Sequence, residues 1–195
     1  MQGVKQLALA AILSLGVSAP VSAQSKSASP QQLELFGVKL KGATRDQLRE
    51  ALKAGGMRPI RVDDNYWADT YNPEAVLEGA SSFAAGYVYK TKVFAYAEYE
   101  FRGFMDTGLV TKVANMVSNK YGRPGSQSGN EGLGPVTYKW NLPQDMSIRV
   151  ARGWPDTTTY LTFTDQTSYA EMKAEQDADK QAEEKSKAKA QTKAF

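Results

Sequence analysis

Apolar residues recur along the chain with two different spacings, which predict strands and helices in turn. Residues 35–40 are typical of a strand, and Thr44 with Gln47 three positions later matches a capping box at the start of a helix. Leu48 and Leu52 give this short helix an apolar face. A pair of glycines followed by a proline predicts where the helix ends.

The same order of elements returns later in the chain. Residues 95–101 are predicted to form a strand, and a second helix follows that Asp106 or Thr107 can cap. Its apolar positions have the period of a helix lying on a sheet: Leu109, Val110, Val113, Met116, Val117 and Tyr121. This repetition within the predicted domain, 33–167, indicates two similar β-α-β halves, about 33–92 and 93–167.

Three segments near 136–141, 147–150 and 160–163 alternate apolar and polar residues, which predicts an antiparallel meander. We expect the apolar face of this meander to contact Leu109, Val113, Met116 and Val117 of the second helix, through the residues Tyr138, Trp140, Ile148, Val150, Leu161 and Phe163. The glycine-rich segment 125–135 before it predicts a mobile surface loop.

The last segment, 168–195, has few apolar residues and many charges. Ser168 and Glu171 match another capping box, so the segment predicts a solvated helix that ends in a basic tail. The elements together predict an α+β fold: an antiparallel sheet with two helices on one face, two similar β-α-β units and a charged C-terminal helix.

The N-terminal residues follow a different pattern. Lys5 precedes an apolar run at 7–17, and small residues follow it up to Ala23, as in a secretory signal peptide spanning 1–23. The run is about half the roughly 20 residues that a membrane-spanning helix needs. We therefore expect cleavage before Gln24, a flexible lead-in at 24–32, and a mature protein in the periplasm or secreted, without stable membrane insertion.

Composition removes several kinds of chemistry. The 195 residues include no Cys and no His, which excludes the commonest general base, a thiol nucleophile and the usual ligands of zinc, copper and haem. The formal net charge of +3 is too small to indicate nucleic acid or an anionic membrane as a partner. We expect no enzyme activity, no catalytic residue, no cofactor and no bound metal.

The densest polar and aromatic cluster is the segment 63–72, which we predict to bind a partner. Trp67, Asp69 and Tyr71 share one face of an extended strand, and rings of this kind are frequent in protein interfaces. The candidate partner-binding residues are Trp67, Tyr71, Asp69, Tyr66 and Trp154.

Two other interpretations of the segment 63–72 are a platform that stacks on sugars and a weak calcium site. The calcium site would use Asp63, Asn65 and Asp69. A purely structural role, with the rings packed inside, fits the same pattern.

Paired carboxylates leave a third class of function open. Glu98 and Glu100 lie two residues apart on a predicted strand and share a face, and such pairs can cleave glycosides. As structural residues they would face solvent opposite Arg149 or Lys139.

We expect an exported interaction or envelope-accessory protein whose partner is another envelope or secreted protein. The alternatives are a small-molecule or glycan-binding periplasmic module and a carboxylate-dependent hydrolase.

Two stretches resemble known exported proteins. Residues 36–44 (FGVKLKGAT), followed by an amphipathic helix, and residues 120–124 (KYGRP) resemble small tandem helix-and-sheet modules. This group includes the small lipoproteins of outer-membrane protein assembly and the tandem-repeat inhibitors of β-lactamase. The chain lacks the lipidation cysteine of the former and the disulfides of the latter. The resemblance implies a binding module and carries over no functional residue.

Overall fold

The computed structural model describes residues 32–192. The predicted signal peptide lies outside the described residues, as does the predicted lead-in except for its last residue. The described part is an α+β fold with antiparallel sheets and a C-terminal helix, which confirms the predicted fold class. None of the helices within residues 32–192 has both the length and the apolar character needed to cross a membrane.

Within this range the elements follow one another in the order β1 (Glu34–Leu35), β2 (Val38–Lys39), α1 (Arg45–Ala54), β3 (Arg58–Arg61), β4 (Ala68–Asn72), β5 (Ala80–Tyr87), β6 (Phe94–Phe101), α2 (Leu109–Tyr121), β7 (Ser126–Gly129), β8 (Val136–Leu142), β9 (Met146–Arg152), β10 (Thr159–Asp165) and α3 (Gln166–Gln191). The strands β1 and β2 form a separate hairpin. The other strands form one antiparallel sheet with the order β3-β4-β5-β6-β10-β9-β8-β7.

The large sheet consists of two four-stranded meanders joined at its centre. In each half a helix precedes four consecutive strands, α1 before β3 to β6 and α2 before β7 to β10. The last strands of the two meanders, β6 and β10, pair with each other, with Tyr99 opposite Leu161. The strand predicted at 95–101 is β6, so it both precedes the second helix and closes the first meander.

The helices α1 and α2 cover one face of this sheet. Leu48 and Leu52 of α1 and four residues of α2 belong to the main hydrophobic core; the α2 residues are Val110, Val113, Ala114 and Val117. All six sheet residues predicted to face the second helix are buried in the same core. Met116 does not belong to it and is 38% exposed. That part of the prediction is wrong because Met116 lies about 120° around the helix from the buried stripe.

Two local predictions are corrected by the observed backbone. Residues 35–40 form a hairpin rather than one strand, because Phe36 and Gly37 both have positive φ values, 50° and 79°, and turn the chain. The second helix has Gly108 at its N-cap, with no side-chain cap. The Oδ1 atom of Asp106 instead accepts a hydrogen bond from the backbone N–H of Gly108 at 2.9 Å.

The segment 125–135 is not a loop throughout, because Ser126–Gly129 is the edge strand β7, paired with β8. This strand is exposed on both faces, so its sequence carries no alternation of apolar and polar residues. The turn that follows packs on Arg152, which is buried. Its guanidinium donates hydrogen bonds to the carbonyl oxygens of Asn130, Glu131 and Gly134, and also to that of Thr107.

The C-terminal helix α3 lies on the opposite face from α1 and α2. Met172 packs against Val88 and Ala95 in a second, smaller hydrophobic cluster, and beyond the first turns the side chains of α3 are exposed. The predicted capping box at Ser168 is wrong. The N-cap is Asp165 at the end of β10, whose side chain accepts a hydrogen bond from the backbone N–H of Ser168.

Candidate functional site

The sheet face opposite α1 and α2 carries an open groove, called the polar groove below. Strand alternation places every second side chain of β6, β10, β9 and β8 on this face, and α3 covers only one end of it. The groove has a volume of about 580 Å³. Its lining residues are Tyr96, Glu98, Thr137, Lys139, Ser147, Arg149, Thr162, Thr164, Gln166 and Tyr169.

Two tyrosines and an amide close the end of the polar groove nearest α3. The rings of Tyr96 and Tyr169 meet edge to face, with their centroids 5.7 Å apart. The side-chain amide of Gln166 donates a hydrogen bond to the Ser147 hydroxyl at 2.6 Å. Burial raises the pKa of Tyr96, and the nearby Glu98 carboxylate raises it further. Tyr96 is therefore a neutral hydroxyl at neutral pH and remains able to donate a hydrogen bond.

The β6 side of the groove is negative. The Oε2 atom of Glu98 accepts a hydrogen bond from the Thr162 hydroxyl at 2.9 Å, and Oε2 of Glu100 accepts one from Ser82 at 3.3 Å. Thr162 stands between Glu98 and Arg149 in the register of the strands, so two strand spacings, or about 10 Å, separate this acid from Arg149. The suggested arrangement of the carboxylates opposite Arg149 or Lys139 is therefore wrong.

The β9 and β8 side of the groove is positive. Lys139 and Arg149 stand directly opposite each other in the β8–β9 register, and both side chains are exposed. Within residues 32–192 neither has a carboxylate oxygen within 4.0 Å. The groove thus has a charge of one sign on each side, and hydroxyl groups of Thr162, Thr137 and Ser147 lie along it.

The structure divides the predicted site at 63–72 between core and surface, and its two buried residues are Asp69 and Tyr71. Asp69 and Tyr71 do share a face, but that face lies under α1, and their side chains are 0% and 2% exposed. Tyr71 packs on Phe83, with the ring centroids 6.0 Å apart. The prediction that these residues form an exposed partner surface is wrong, because alternation determines which residues share a face but not which face a helix covers.

Asp69 instead anchors a buried ion cluster with Arg45 and Arg49. The two guanidinium groups each bind both of its carboxylate oxygens, at distances between 2.6 and 3.0 Å. Burial alone would raise the pKa of this carboxyl, but the hydrogen bonds from Arg49 and Arg45 outweigh that effect and hold its pKa below the usual value. These contacts also contradict the calcium interpretation, because two cations already occupy the carboxylate.

The other three predicted residues lie at two separate places, and Trp67 packs against the smaller hydrophobic cluster under α3 rather than sharing a face with Asp69 and Tyr71. Tyr66 is 46% exposed under the guanidinium of Arg61. Trp67 is half-buried, and its ring centroid lies 5.1 Å from that of Tyr89. Trp154, also 46% exposed, lies in the β9–β10 turn at the other end of the sheet. The structure does not bring the five predicted residues together, and contact of these three with a partner stays a prediction.

The sequence indicates the three charged residues that line the polar groove, Glu98, Lys139 and Arg149, without joining them into a site. The alternation of Glu98 and Glu100 and the polar face of the meander are visible in the sequence. Only the pairing of β6 with β10 brings Glu98 and Glu100 onto one continuous sheet face with Arg149 and Lys139.

Comparison with known proteins assigns no family. No family model matches the chain, and no curated protein matches it. Among solved structures, the chain is similar to a DUF4309 family protein, YjgB, from Bacillus subtilis subsp. subtilis str. 168. The two share 13% sequence identity with a TM-score of 0.42, over 68% of this chain and 86% of that one. A likeness at this level carries no argument about function.

Proposed function

We propose that this protein is an exported, non-enzymatic interaction module that binds a partner protein in the polar groove. The observation that carries the proposal is the open sheet face. One face of the sheet packs against α1 and α2, whereas the other presents ordered polar side chains in a groove of about 580 Å³. A surface built on paired strands is preorganised, so binding does not have to order it first.

The groove residues support binding rather than chemistry. The chain has neither His nor Cys, so a reaction would have to use carboxylate, Ser, Lys or Tyr side chains. Glu98 and Glu100 each accept a hydrogen bond from a neighbouring hydroxyl, so each carboxylate is held by a side chain of the adjacent strand. Carboxylates held in this way are suited to recognising a basic group on a partner.

Glycan binding is the second candidate function, and the tyrosine pair favours it. Tyr169 is 38% exposed at the end of the groove beside Tyr96, and aromatic rings next to hydroxyl and amide groups can stack on sugars. The small volume of the groove suits a short oligosaccharide as well as a peptide.

Export is the part of the proposal that the N-terminal pattern supports. We expect the protein recovered outside the cytoplasm to begin at Gln24, because small residues ending at Ala23 precede it. Intact mass spectrometry of the exported protein measures this directly. A mature chain that still begins at Met1 would contradict both the cleavage and the localisation.

The groove itself is tested by blocking it. Thr162 lies at the centre of the groove, so Thr162→Trp fills the space above β10, while Thr91→Trp places the same ring on an exposed loop. Crosslinking in intact cells should recover one partner protein with the parent and with Thr91→Trp, but not with Thr162→Trp. All three proteins should melt at similar temperatures.

Two outcomes would contradict the proposal. Equal recovery of the partner by Thr162→Trp and the parent would show that the groove is not the binding surface. Recovery of a bound glycan, lost only in Thr162→Trp, would support the second candidate instead.

A further inference from the structure

The pair of cations in the polar groove is unfavourable for folding by itself. Lys139 and Arg149 occupy directly opposite positions on β8 and β9, where Cβ atoms are about 5 Å apart and like charges destabilise a sheet. Within the described part of the chain no carboxylate oxygen lies within 4.0 Å of either. A local feature that opposes folding without compensation is typical of a binding site.

The surroundings of this pair fit an anionic oxygen group. The planar guanidinium of Arg149 can donate two parallel hydrogen bonds to a carboxylate, and Lys139 adds a second positive charge. The hydroxyls of Thr137 and Ser147 line the same part of the groove and can donate further hydrogen bonds.

The other side of the groove decides which kind of anion fits. Glu98 and Glu100 lie on the same sheet face, and two strand spacings, about 10 Å, separate Glu98 from Arg149. A polymer that carries only negative charge, such as a polyphosphate or an anionic lipid surface, would bring its charges against these carboxylates. A segment with an acidic group and a basic group about 10 Å apart would neutralise both sides.

We infer that the polar groove binds an extended polypeptide segment of mixed charge, with a carboxylate between Lys139 and Arg149 and a basic side chain against Glu98. This inference rests on the proposed function, because it takes the groove as the binding surface. It adds the chemistry of the partner: side chains along a polypeptide can place both signs at the required separation, and a uniform polyanion cannot.

Selection from a random peptide display library tests the inference without knowledge of the natural partner. The parent is the bait, and selected peptides are then measured against three variants. Arg149→Glu reverses the charge on the positive side and Glu98→Gln removes it on the negative side. Arg123→Glu is the matched control, because Arg123 is exposed after α2 and does not line the groove.

The selected peptides should carry both acidic and basic residues. Their affinity should fall at least about tenfold for Arg149→Glu and for Glu98→Gln, because each variant leaves one charge of the complex unpaired, and it should not change for Arg123→Glu. Polyphosphate should bind the parent weakly. In low salt, Lys139→Gln should melt at a higher temperature than the parent, since it relieves the repulsion.

Several results would overturn the inference. Recovery of no peptide, or of purely acidic peptides, would do so, as would equal affinity for the parent and Arg149→Glu. Tight binding of polyphosphate that requires Arg149 would identify a site for polyanions instead. These failures are separable from failure of the proposed function, because Thr162→Trp tests only whether the groove binds a partner of any charge.

Discussion

The buried cluster of Arg45, Arg49 and Asp69 supports a quantitative prediction about stability. Asp69→Asn keeps the shape of the side chain but removes its charge. The side chain of Arg45 is only 3% exposed, so its guanidinium would remain buried with only the exposed carboxylate of Asp64, 3.7 Å away, as a counter-ion. Breaking a buried ion pair in this way costs about 3 to 5 kcal/mol. Since a domain has a total stability of about 5 to 15 kcal/mol, the variant should lose a large share of it.

Asp64→Asn is the matched control for this variant. The carboxylate of Asp64 lies 2.8 Å from the guanidinium of Arg49, but its side chain is 67% exposed. An exposed ion pair contributes at most about 1 kcal/mol, so removing this charge should have a small effect. The two variants therefore remove the same chemical group from one arginine cluster, at buried and exposed positions.

Urea unfolding at neutral pH, followed by circular dichroism, compares the parent with the two variants. We expect the midpoint to fall strongly for Asp69→Asn and slightly for Asp64→Asn, with similar slopes for all three proteins. The double variant Arg45→Met/Asp69→Leu should recover part of the loss, because apolar residues can replace a buried pair. If the two single variants were destabilised to within about 1 kcal/mol of each other, the cluster would not act as a buried ion pair.

Three other predictions concern acid, the core and a loop. The pKa of Asp69 is lower in the folded protein than its unfolded value of about 3.9. The ionised carboxylate therefore contributes its full share of stability above that value, and this share is lost as the pH falls through the folded pKa. We expect the free energy of unfolding to fall less steeply with decreasing pH for Asp69→Asn than for the parent, which acid titration measures. Val113→Asp should be insoluble or degraded, because it places an unpaired carboxylate in the core, whereas Met116→Asp on the exposed side of α2 should melt like the parent. Arg152→Met should leave four carbonyl oxygens without their donor, so amide hydrogen exchange at 130–134 should accelerate while that of α1 stays unchanged. Unchanged exchange at 130–134 would contradict the role of Arg152.

Local patterns in the sequence predicted most of the elements correctly. The capping box of Thr44 and Gln47 is present at the start of α1. The alternating segments became β8, β9 and β10, and Val113 and Val117 lie in the core as expected. These features depend on residues close together in the chain, where backbone geometry alone decides which side chains share a face.

The sequence predicted less well wherever a local signal was weak or ambiguous. The strand β7 is exposed on both faces, so it has no periodicity to detect. The helix α3 begins before the predicted Ser168 because its N-cap, Asp165, is also the last residue of β10. The turn at Phe36 and Gly37 interrupts residues 35–40, whose side-chain pattern is typical of a single strand.

The sequence by itself determined which residues alternate, where α1 begins and which chemistry the missing Cys and His exclude. Only the tertiary structure decided that Asp69 is buried under α1 and that Glu98, Thr162 and Arg149 share one open surface. Glu98 and Thr162 are 64 residues apart in the chain, and their contact exists because the last strands of two separate meanders pair at the centre of the sheet. The physical reason is that alternation determines the two faces of each strand, whereas pairing between distant strands and the position of the helices decide which face becomes core and which becomes a site.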